Sequence, residues 1–265
     1  METIIKKDYD QICEQAAEII HQTWHKKNNL VLGLPTGNTP LGVYKRLSLL
    51  YQKGEMDFSQ VTTFNLDEYL GLKENHPRSF SYYMEKNFFQ HVNIRKENIH
   101  RLKGIPENID DHCRQYEQEI KSAGGIDIQL LGVGRNGHIG FNEPSSSLSS
   151  RTRVKTLTQE TIQANSPLFE NKNEIPRFCL TMGIGTIMEA RMIILLASGK
   201  DKSEAIRKSV EGPITASVPA SILQLHPQVK VIVDQEAASL LSRKDYYQWV
   251  FENKDRVGDF LAKKK

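Results

Sequence analysis

A polar cluster suited to proton transfer lies within residues 130–144, which read LLGVGRNGHIGFNEP. Asn136, His138 and Glu143 follow one another closely, directly after an apolar run and a glycine-rich turn. An imidazole can take and give a proton near neutral pH, and a carboxylate beside it can hold it in one tautomer. The segment therefore predicts acid/base chemistry at a strand end, with a structural histidine as the alternative.

The glycines of the same segment also match a nucleotide-binding pattern. Gly132, Gly134 and Gly137 satisfy G-x-G-x-x-G, the fingerprint of dinucleotide-binding folds. That fingerprint needs an apolar helix after the third glycine, whereas Pro144 and three serines follow here. The context argues against NAD or FAD, and we expect no cofactor.

Five short apolar runs alternate with helix-like segments along the chain. The runs are typical of strands buried on both faces of a parallel sheet, and several of the intervening segments have apolar residues at helical spacing. The pattern predicts one wound α/β domain over residues 1–265, with a mainly parallel sheet flanked by helices. The predicted strands are 30–34, 61–66, 126–133, 192–196 and 229–233, and the predicted helices are 12–25, 40–51, 80–89, 109–123 and 202–210.

Polar loops follow the first three of these strands. Ligands of wound α/β folds bind at the carboxyl ends of the strands, so such loops can form one composite site. Residues 35–40 (PTGNTP) offer hydroxyls, an amide and close N–H groups just before a predicted helix, which suits a phosphate. Helix capping is the alternative. The candidate phosphate ligands are Thr36, Gly37, Asn38 and Thr39.

Lys202 is a second candidate for binding an anion. It stands in SGKDKSEA, after a predicted strand and at the start of a predicted helix. A cation is unfavourable beside the positive end of a helix dipole, and a bound phosphate would offset that repulsion. A solvated surface lysine is the alternative.

Asp67 and Glu68 stand side by side after the second predicted strand. We expect one carboxylate to point into the cleft and the other to face a different neighbour. Asp67 is a candidate base, and raising its pKa from about 3.9 to about 6 requires roughly 2.8 kcal/mol from desolvation or like charge. A carboxylate that caps the next turn is the alternative.

Composition and spacing exclude several other kinds of protein. The formal net charge of +3, from 35 basic and 32 acidic residues, is too small to suggest a nucleic-acid partner. The three cysteines lack the spacing of a disulfide framework, and the candidate residues match no standard metal signature, so we expect no metal. No segment approaches the roughly twenty apolar residues of a membrane helix, and we expect a cytoplasmic protein without a membrane partner. No serine or cysteine lies in a nucleophile elbow, which favours acid/base chemistry on a phosphorylated small molecule.

Four segments together resemble the glucosamine-6-phosphate deaminase family, also called glucosamine-6-phosphate isomerases. They are LGLPTGNTP, FNLDEYLGL, LLGVGRNGHIGFNEP and LQLHP, in this order across nearly the whole chain. The resemblance implies a Rossmann-like fold and an amino-sugar catabolic activity without metal or redox cofactor. That activity converts D-glucosamine 6-phosphate and water to D-fructose 6-phosphate and ammonia.

The resemblance also implies a role for each candidate residue. His138 would open the pyranose ring by proton transfer at the ring oxygen, supported by Asn136 and Glu143. Asp67 would then take the C2 proton, a proton would return at C1, and water attack on C2 would expel ammonia. The groups that would bind the substrate are Thr36, Gly37, Asn38, Thr39, Gly137 and Lys202.

The chain departs from the family pattern at three positions. Asn136 stands where the best-known branch has an aspartate, Asn38 where a glycine is common, and Pro167 where an arginine often contacts the phosphate. Losing that charge-assisted contact would cost roughly 1.5–3 kcal/mol of binding unless another donor substitutes. Arg153 and Lys155 match residues that bind the activator N-acetylglucosamine 6-phosphate in the hexameric, allosteric branch. A monomer and a homo-oligomer are both compatible with this chain.

Two other functions fit parts of the pattern. A 6-phosphogluconolactonase resembles this fold and also has a glycine-rich GH loop, but HIGFNEP together with DEYLG favours deamination. A non-catalytic sugar-phosphate sensor could use the same pocket, although Asp67, His138 and Glu143 would then be surplus.

Overall fold

The computed structural model describes residues 1–165 and 175–254, and within them the strands form two sheets. The larger sheet contains β1 (Glu2–Lys6), β2 (Val31–Leu34), β3 (Thr62–Asn65), β5 (Ile99–His100), β6 (Ile128–Gly132), β9 (Met192–Ala197) and β10 (Val229–Asp234). The smaller sheet contains β4 (Asp67–Tyr69), β7 (Arg153–Thr156) and β8 (Phe178–Thr181). The helices are α1 (Tyr9–Lys26), α2 (Leu41–Gln52), α3 (Phe80–Asn87), α4 (Ile109–Ser122), α5 (Gln159–Asn165), α6 (Ile184–Met188), α7 (Ser203–Val210) and α8 (Lys244–Asn253).

The large sheet is entirely parallel, with the order β1-β10-β9-β6-β2-β3-β5. This confirms the predicted α/β class with a mainly parallel sheet flanked by helices. All five predicted strands and all five predicted helices are present, with ends that differ by at most three residues. One such difference is at α2, where Pro40 is the N-cap and the helix begins at Leu41. Sequence reasoning missed β1, the two-residue β5 and the whole small sheet.

Successive side chains of each strand point to opposite faces of the large sheet, and each face carries its own hydrophobic core. In β6, Leu130 belongs to the cluster that contains the buried side of α1 and α2. Leu131 belongs to the opposite cluster, with α4 and α7. Because successive side chains of a strand point to opposite faces, a strand buried on both sides must be apolar throughout. This explains why the parallel strands were recognisable as apolar runs.

The order of the strands reverses between β2 and β6. From β2 the chain continues through β3 to β5 on one side, then crosses to β6 and continues through β9 to β10 on the other. Such a reversal leaves a crevice between the loops that follow the two central strands, and ligands of wound sheets bind there. The loop after β2 is the predicted phosphate loop, and the loop after β6 carries His138.

The small sheet is antiparallel, with β8 between β4 and β7. It starts immediately after β3, because β4 comprises Asp67, Glu68 and Tyr69. Asp67 pairs with Thr181 across this sheet. The predicted base is therefore held in a short strand and not in a free loop.

The cysteines and the helices relate to the disulfide framework and the membrane helix that the sequence argued against. Cys13, Cys113 and Cys179 are all buried and free. None of the described helices combines the length and apolar character that spanning a bilayer requires.

Close packing between β2 and β6 requires glycine at position 33. Gly33 pairs with Gln129, whose side chain is buried. A Cβ at position 33 would lie 2.0 Å from Oε1 of Gln129. By contrast, a Cβ on Gly132 at the end of β6 would meet no atom within 4 Å.

Gly33→Ala should destabilise the fold by about 1–3 kcal/mol, because the amide of Gln129 has to move within a packed core. Gly132→Ala is the matched control and should have little effect on stability. Urea unfolding of the two variants and the parent chain measures both values. Equal stabilities for the two variants would contradict the packing assigned to Gly33.

Candidate active site

Gly134 allows the His138 ring to lie directly on the turn after β6. The turn is closed by hydrogen bonds from the Gly134 N–H to the His138 carbonyl (2.9 Å) and from the Gly137 N–H to the Gly134 carbonyl (3.0 Å). A Cβ at position 134 would lie 2.2 Å from Cε1 of His138. Gly137 has a φ of 85°, in the left-handed region that favours glycine. The G-x-G-x-x-G pattern therefore shapes a histidine turn.

Asn136, His138 and Glu143 are in mutual contact, as the sequence predicts. Nδ2 of Asn136 donates to Oε2 of Glu143 at 2.8 Å, and Oδ1 of Asn136 lies 2.8 Å from Nδ1 of His138. The same imidazole nitrogen is 3.3 Å from Oε2 of Glu143. The amide and the carboxylate thus face one nitrogen of the ring.

Glu143 is held as an anion although it is 3% exposed. Burial by itself opposes ionisation, but the hydrogen bond and charge of His138 outweigh it, assisted by hydrogen bonds from Thr161 and Asn136. Together they lower the pKa of Glu143 to about 2. Thr158 adds a longer contact to the other carboxylate oxygen at 3.4 Å. Glu143 is consequently an acceptor for every donor around it.

This acceptor fixes the tautomer of His138. An ionised carboxylate can only accept, so Nδ2 of Asn136 must face it and Oδ1 must face the histidine. Oδ1 already accepts from the His138 backbone N–H at 3.1 Å, and it can bond to the ring only if Nδ1 carries a proton. In the neutral imidazole the unprotonated nitrogen is therefore Nε2, which has no hydrogen-bond partner among the described residues. That nitrogen is the one free to accept a proton.

Asp67 is the second buried carboxylate, and its environment is the reverse of that of Glu143. No hydrogen-bond donor reaches its side chain from the described part of the chain. Desolvation first, and the charge of Glu68 second, raise the pKa of Asp67 to about 8. The pKa of Asp67 is raised, as the sequence analysis expected, and it is higher than the value of about 6 considered there.

Glu68 faces a different neighbour, as predicted for one member of the pair. Its carboxylate accepts from the backbone N–H groups of Phe80 and Ser81, at 2.9 and 2.8 Å, and from the Ser81 hydroxyl. These are the first two residues of α3, so Glu68 caps that helix. Burial raises the pKa of Glu68 despite these bonds. Glu68 thus anchors the strand from which Asp67 projects.

Four of the five carbonyls of the 35–39 loop are hydrogen-bonded, whereas its backbone donors have no acceptor among the described residues. Its carbonyl oxygens at Pro35, Gly37, Asn38 and Thr39 accept hydrogen bonds from tyrosine hydroxyls. Within residues 1–165 and 175–254, its four N–H groups at 36–39 and the hydroxyls of Thr36 and Thr39 have no acceptor. Unpaired N–H groups before a helix form an anion site. The loop has the polarity that a phosphate requires.

Asn38 fits this loop without backbone strain. Ser145 is the one non-glycine residue with a positive φ in the described backbone, so residue 38 does not need the left-handed conformation. Gly37, with a φ of 99°, supplies the sharp turn instead. The asparagine at position 38 therefore leaves the shape of the loop intact.

Lys202 lies after β9, immediately before α7. Its Nζ is 3.8 Å from Oδ2 of Asp201, and the Arg135 guanidinium contacts the same oxygen at 3.0 Å. Desolvation lowers the pKa of Lys202, Asp201 opposes that shift, and Arg135 adds to it. Two cations thus share one carboxylate at the start of a helix, where a phosphate would relieve their repulsion.

Strand β8 connects the Asp67 strand to the histidine loop. Thr181, which pairs with Asp67, accepts a hydrogen bond from the Phe141 N–H at 3.1 Å. The next residue, Met182, donates to the Leu66 carbonyl and accepts from the Asn142 side chain, both at 2.8 Å. Sequence reasoning missed this connection because FCLT is a short run with no distinctive pattern. The contacts to Glu143 from Thr161 of α5 and from Thr158, which immediately precedes that helix, were missed as well.

A model of the family of glucosamine-6-phosphate isomerases and 6-phosphogluconolactonases matches residues 6–233. The chain belongs to this family. It is 54% identical to a glucosamine-6-phosphate deaminase from Thermoanaerobacter pseudethanolicus over 245 residues, covering 92% of this chain and 97% of that protein.

Solved structures separate the two branches of the family. The structure of a monomeric glucosamine-6-phosphate deaminase matches with a TM-score of 0.88 and 46% identity, over 91% of this chain and all of that one. A 6-phosphogluconolactonase from Trypanosoma cruzi matches with a TM-score of 0.71 but only 20% identity, over 91% of this chain and 97% of that one. The second match shows a shared fold alone.

The remaining family-derived positions have different outcomes. Pro167 lies outside the described residues. Arg153 donates to Oδ1 of Asn142 at 2.9 Å and lines a cavity of about 970 Å³ between α4 and β7, together with Glu117 and Arg151. A role for Arg153 and Lys155 in binding an activator stays a prediction.

Nowhere in the described ranges do three or more His, Cys, Asp or Glu side chains form a group that could hold a metal ion.

Asp67→Asn should stabilise the fold by an amount that grows with pH. The pKa of Asp67 is about 8 in the fold and 3.8 in the absence of these surroundings. The contribution of Asp67 to stability is therefore fully present below the lower value and is lost as the pH rises through about 8. Asparagine cannot ionise, so the difference in Tm should widen between about pH 5 and pH 8 and then level off.

Thermal unfolding at constant ionic strength measures this difference. Asp245→Asn, on the exposed surface of α8, is the matched control. A difference in Tm for Asp67→Asn that does not depend on pH would contradict the raised pKa.

Proposed function

We propose that this chain is a glucosamine-6-phosphate deaminase of the cytoplasm, formed by one domain over residues 1–265. It would convert D-glucosamine 6-phosphate and water to D-fructose 6-phosphate and ammonia in amino-sugar catabolism. One observation carries the proposal. The sheet edge that holds an anion-binding loop also holds two acid/base centres with opposite electrostatics, the His138–Glu143 pair and Asp67. The deaminase relatives support the same conclusion.

The 6-phosphate would bind at the carboxyl ends of the strands, between the loop after β2 and the start of α7, which follows β9. The free N–H groups at 36–39 and the two threonine hydroxyls supply neutral donors, and Lys202 supplies a charge. Charge-assisted hydrogen bonds to a phosphate are stronger than neutral ones, so Lys202 would contribute more than any single amide. Gly137 would bring the backbone of the histidine loop close to the sugar.

Ring opening would use Nε2 of His138. This nitrogen accepts the proton of the C1 hydroxyl as the bond from C1 to the ring oxygen breaks, and the imidazolium then gives that proton to the former ring oxygen, which becomes a hydroxyl. The imidazolium that forms is stabilised by Glu143, which is already ionised. The Asn136 amide contacts both the Glu143 carboxylate and Nδ1, so the position of the carboxylate sets the orientation of the imidazole ring.

Isomerisation would use Asp67. Once the chain form of the sugar is bound, the ionised form of Asp67 takes the C2 proton, the C1=O double bond moves to C1–C2, and O1 takes a proton from solvent. Asp67 then returns its proton to C1, which gives an imine at C2; water adds to C2 and ammonia leaves, so that C2 becomes the carbonyl. A carboxylate with a pKa of about 8 is a stronger base than an ordinary aspartate, which suits removal of a proton from carbon.

Neither alternative function gains support from the site. Lactone hydrolysis transfers no proton from carbon, so it has no use for the buried Asp67, and the lactonase neighbour shows the fold alone. A non-catalytic sensor would not need the fixed tautomer of His138. The monomeric state described for the solved deaminase relative supports a monomer for this chain.

The purified protein should release ammonia and fructose 6-phosphate from glucosamine 6-phosphate in equal amounts. Asp67→Asn should reduce kcat at least about 10³-fold with substrate binding retained, because the amide cannot accept the C2 proton. Coupled assays for both products measure the parent, the variant and the control Asp245→Asn, which should keep full activity. Binding without either product would favour the sensor, and retained activity in Asp67→Asn would remove Asp67 as the base.

Glu143→Gln should lower kcat about 10²- to 10⁴-fold with little change in fold. Glutamine has no charge to stabilise the imidazolium, and its amide can reverse the orientation of Asn136 and release the tautomer of His138. Steady-state kinetics measures the effect, with Glu14→Gln on the exposed side of α1 as the control. A kcat for Glu143→Gln within threefold of the parent value would show that Glu143 is not needed at the ring oxygen.

A further inference from the structure

Three helices direct tyrosine hydroxyls at the backbone of the 35–39 loop. Tyr44 of α2 donates to the Pro35 carbonyl, and Tyr83 of α3 donates to the Gly37 carbonyl. Tyr9 of α1 lies 3.0 Å from the Asn38 carbonyl oxygen and 3.1 Å from that of Thr39. None of the three hydroxyls belongs to the loop itself.

These contacts determine which polar groups of the loop remain free. A carbonyl oxygen facing a phosphate repels it, whereas an N–H attracts it. With the carbonyls at 37, 38 and 39 turned towards tyrosines, the backbone groups of residues 36–39 that have no partner within the described ranges are the four N–H groups and the Thr36 carbonyl, so donors predominate. The tyrosines thus occupy three carbonyl acceptors and leave the N–H donors of the loop available to an anion.

Tyr9 also joins this loop to the helix that follows. Its oxygen accepts from the Gly42 N–H at 2.9 Å, one of the first-turn donors of α2 that have no partner inside the helix. Pro40, the N-cap, makes no side-chain capping bond. A Cβ at position 42 would lie 3.1 Å from the Tyr9 oxygen and 2.5 Å from Sγ of Cys13, so glycine is required there.

We propose that Tyr9 and Tyr83 are positioning residues for the phosphate site: they hold the carbonyls of residues 37–39 away from the bound anion and so determine its affinity without touching it. The inference rests on the proposed function for the identity of the substrate, a sugar phosphate. It predicts that phosphate affinity depends on two hydroxyls from α1 and α3.

The protonation of the tyrosines suits this role. Burial raises the pKa of Tyr9 to about 12 and raises the pKa of Tyr83 as well. Both phenols keep their protons over the working pH range, and a phenolate could not donate to a carbonyl. Neutral hydroxyls also add no negative charge near the anion.

The experiment compares Tyr9→Phe, Tyr83→Phe and the double variant with Tyr82→Phe. Tyr82 neighbours Tyr83 on α3, and its hydroxyl has no hydrogen bond to the described residues, so it is a matched control. Calorimetry measures the Kd for inorganic phosphate, ammonia release gives KM and kcat for glucosamine 6-phosphate, and thermal unfolding gives Tm.

Each single variant should raise the phosphate Kd and the KM about 3- to 10-fold, and the double variant should raise them more, with kcat within about twofold of the parent. Tyr82→Phe should change none of these values. A phosphate Kd within twofold of the parent in both single variants would overturn the proposal, even if Tm falls. If Tyr9→Phe does not fold, Tyr83→Phe alone decides.

The two proposals can fail separately. Phosphate binding is measured without turnover, so weakened binding in the variants would support the tyrosine role even if no ammonia is released. Ammonia release with unchanged phosphate binding would leave the deaminase in place and remove the role of the tyrosines.

Discussion

Two buried carboxylates with opposite electrostatics determine what this site can do. Burial opposes ionisation of both Glu143 and Asp67. Glu143 is surrounded by donors, so its pKa falls to about 2. Asp67 has no donor among the described residues, and desolvation, with the charge of Glu68, raises its pKa to about 8. The difference comes from the neighbours and not from the residue type. One group becomes a fixed anion that orients an imidazole, and the other becomes a carboxyl group of raised basicity.

The wound sheet brings these environments together. The strands β9, β6, β2 and β3 are consecutive neighbours, so their carboxyl ends place Lys202, His138, the phosphate loop and Asp67 along one edge. The small antiparallel sheet adds the connection that a parallel sheet lacks, because β8 bonds both to the Asp67 strand and to the histidine loop. A shift of one residue in that pairing would reverse the faces of Asp67 and Glu68. The register of a three-residue strand thus decides which carboxylate caps α3 and which one has no hydrogen-bond donor among the described residues.

The parallel strands and the polar loops could be predicted from the sequence. Strands buried on two faces are runs of apolar residues, and the loops that follow them are rich in polar residues suited to acid/base chemistry or anion binding. The sequence did not predict β4, β7 and β8, since DEY, RVKT and FCLT are short and partly polar, and their pairing joins distant segments. The contacts of Thr161 and of the tyrosines were missed for the same reason. Tyr83 is 46 residues from Gly37, and no local pattern records a hydrogen bond across that separation. The partners of a site are therefore harder to predict than its charged members.

Asn136 shows how a neutral amide can connect a carboxylate to an imidazole. An aspartate at this position would place a second carboxylate beside Nδ1 of His138 and against Glu143, and like charges at such distances raise one another's pKa. The amide avoids that repulsion and still accepts from Nδ1, because Glu143 fixes which end of the amide faces the ring. A single anion then orients the histidine through an uncharged intermediary. The tyrosines act on the 35–39 loop in the same way. Their uncharged hydroxyls hold backbone groups in place, so they add no charge to that of Lys202 and Glu143.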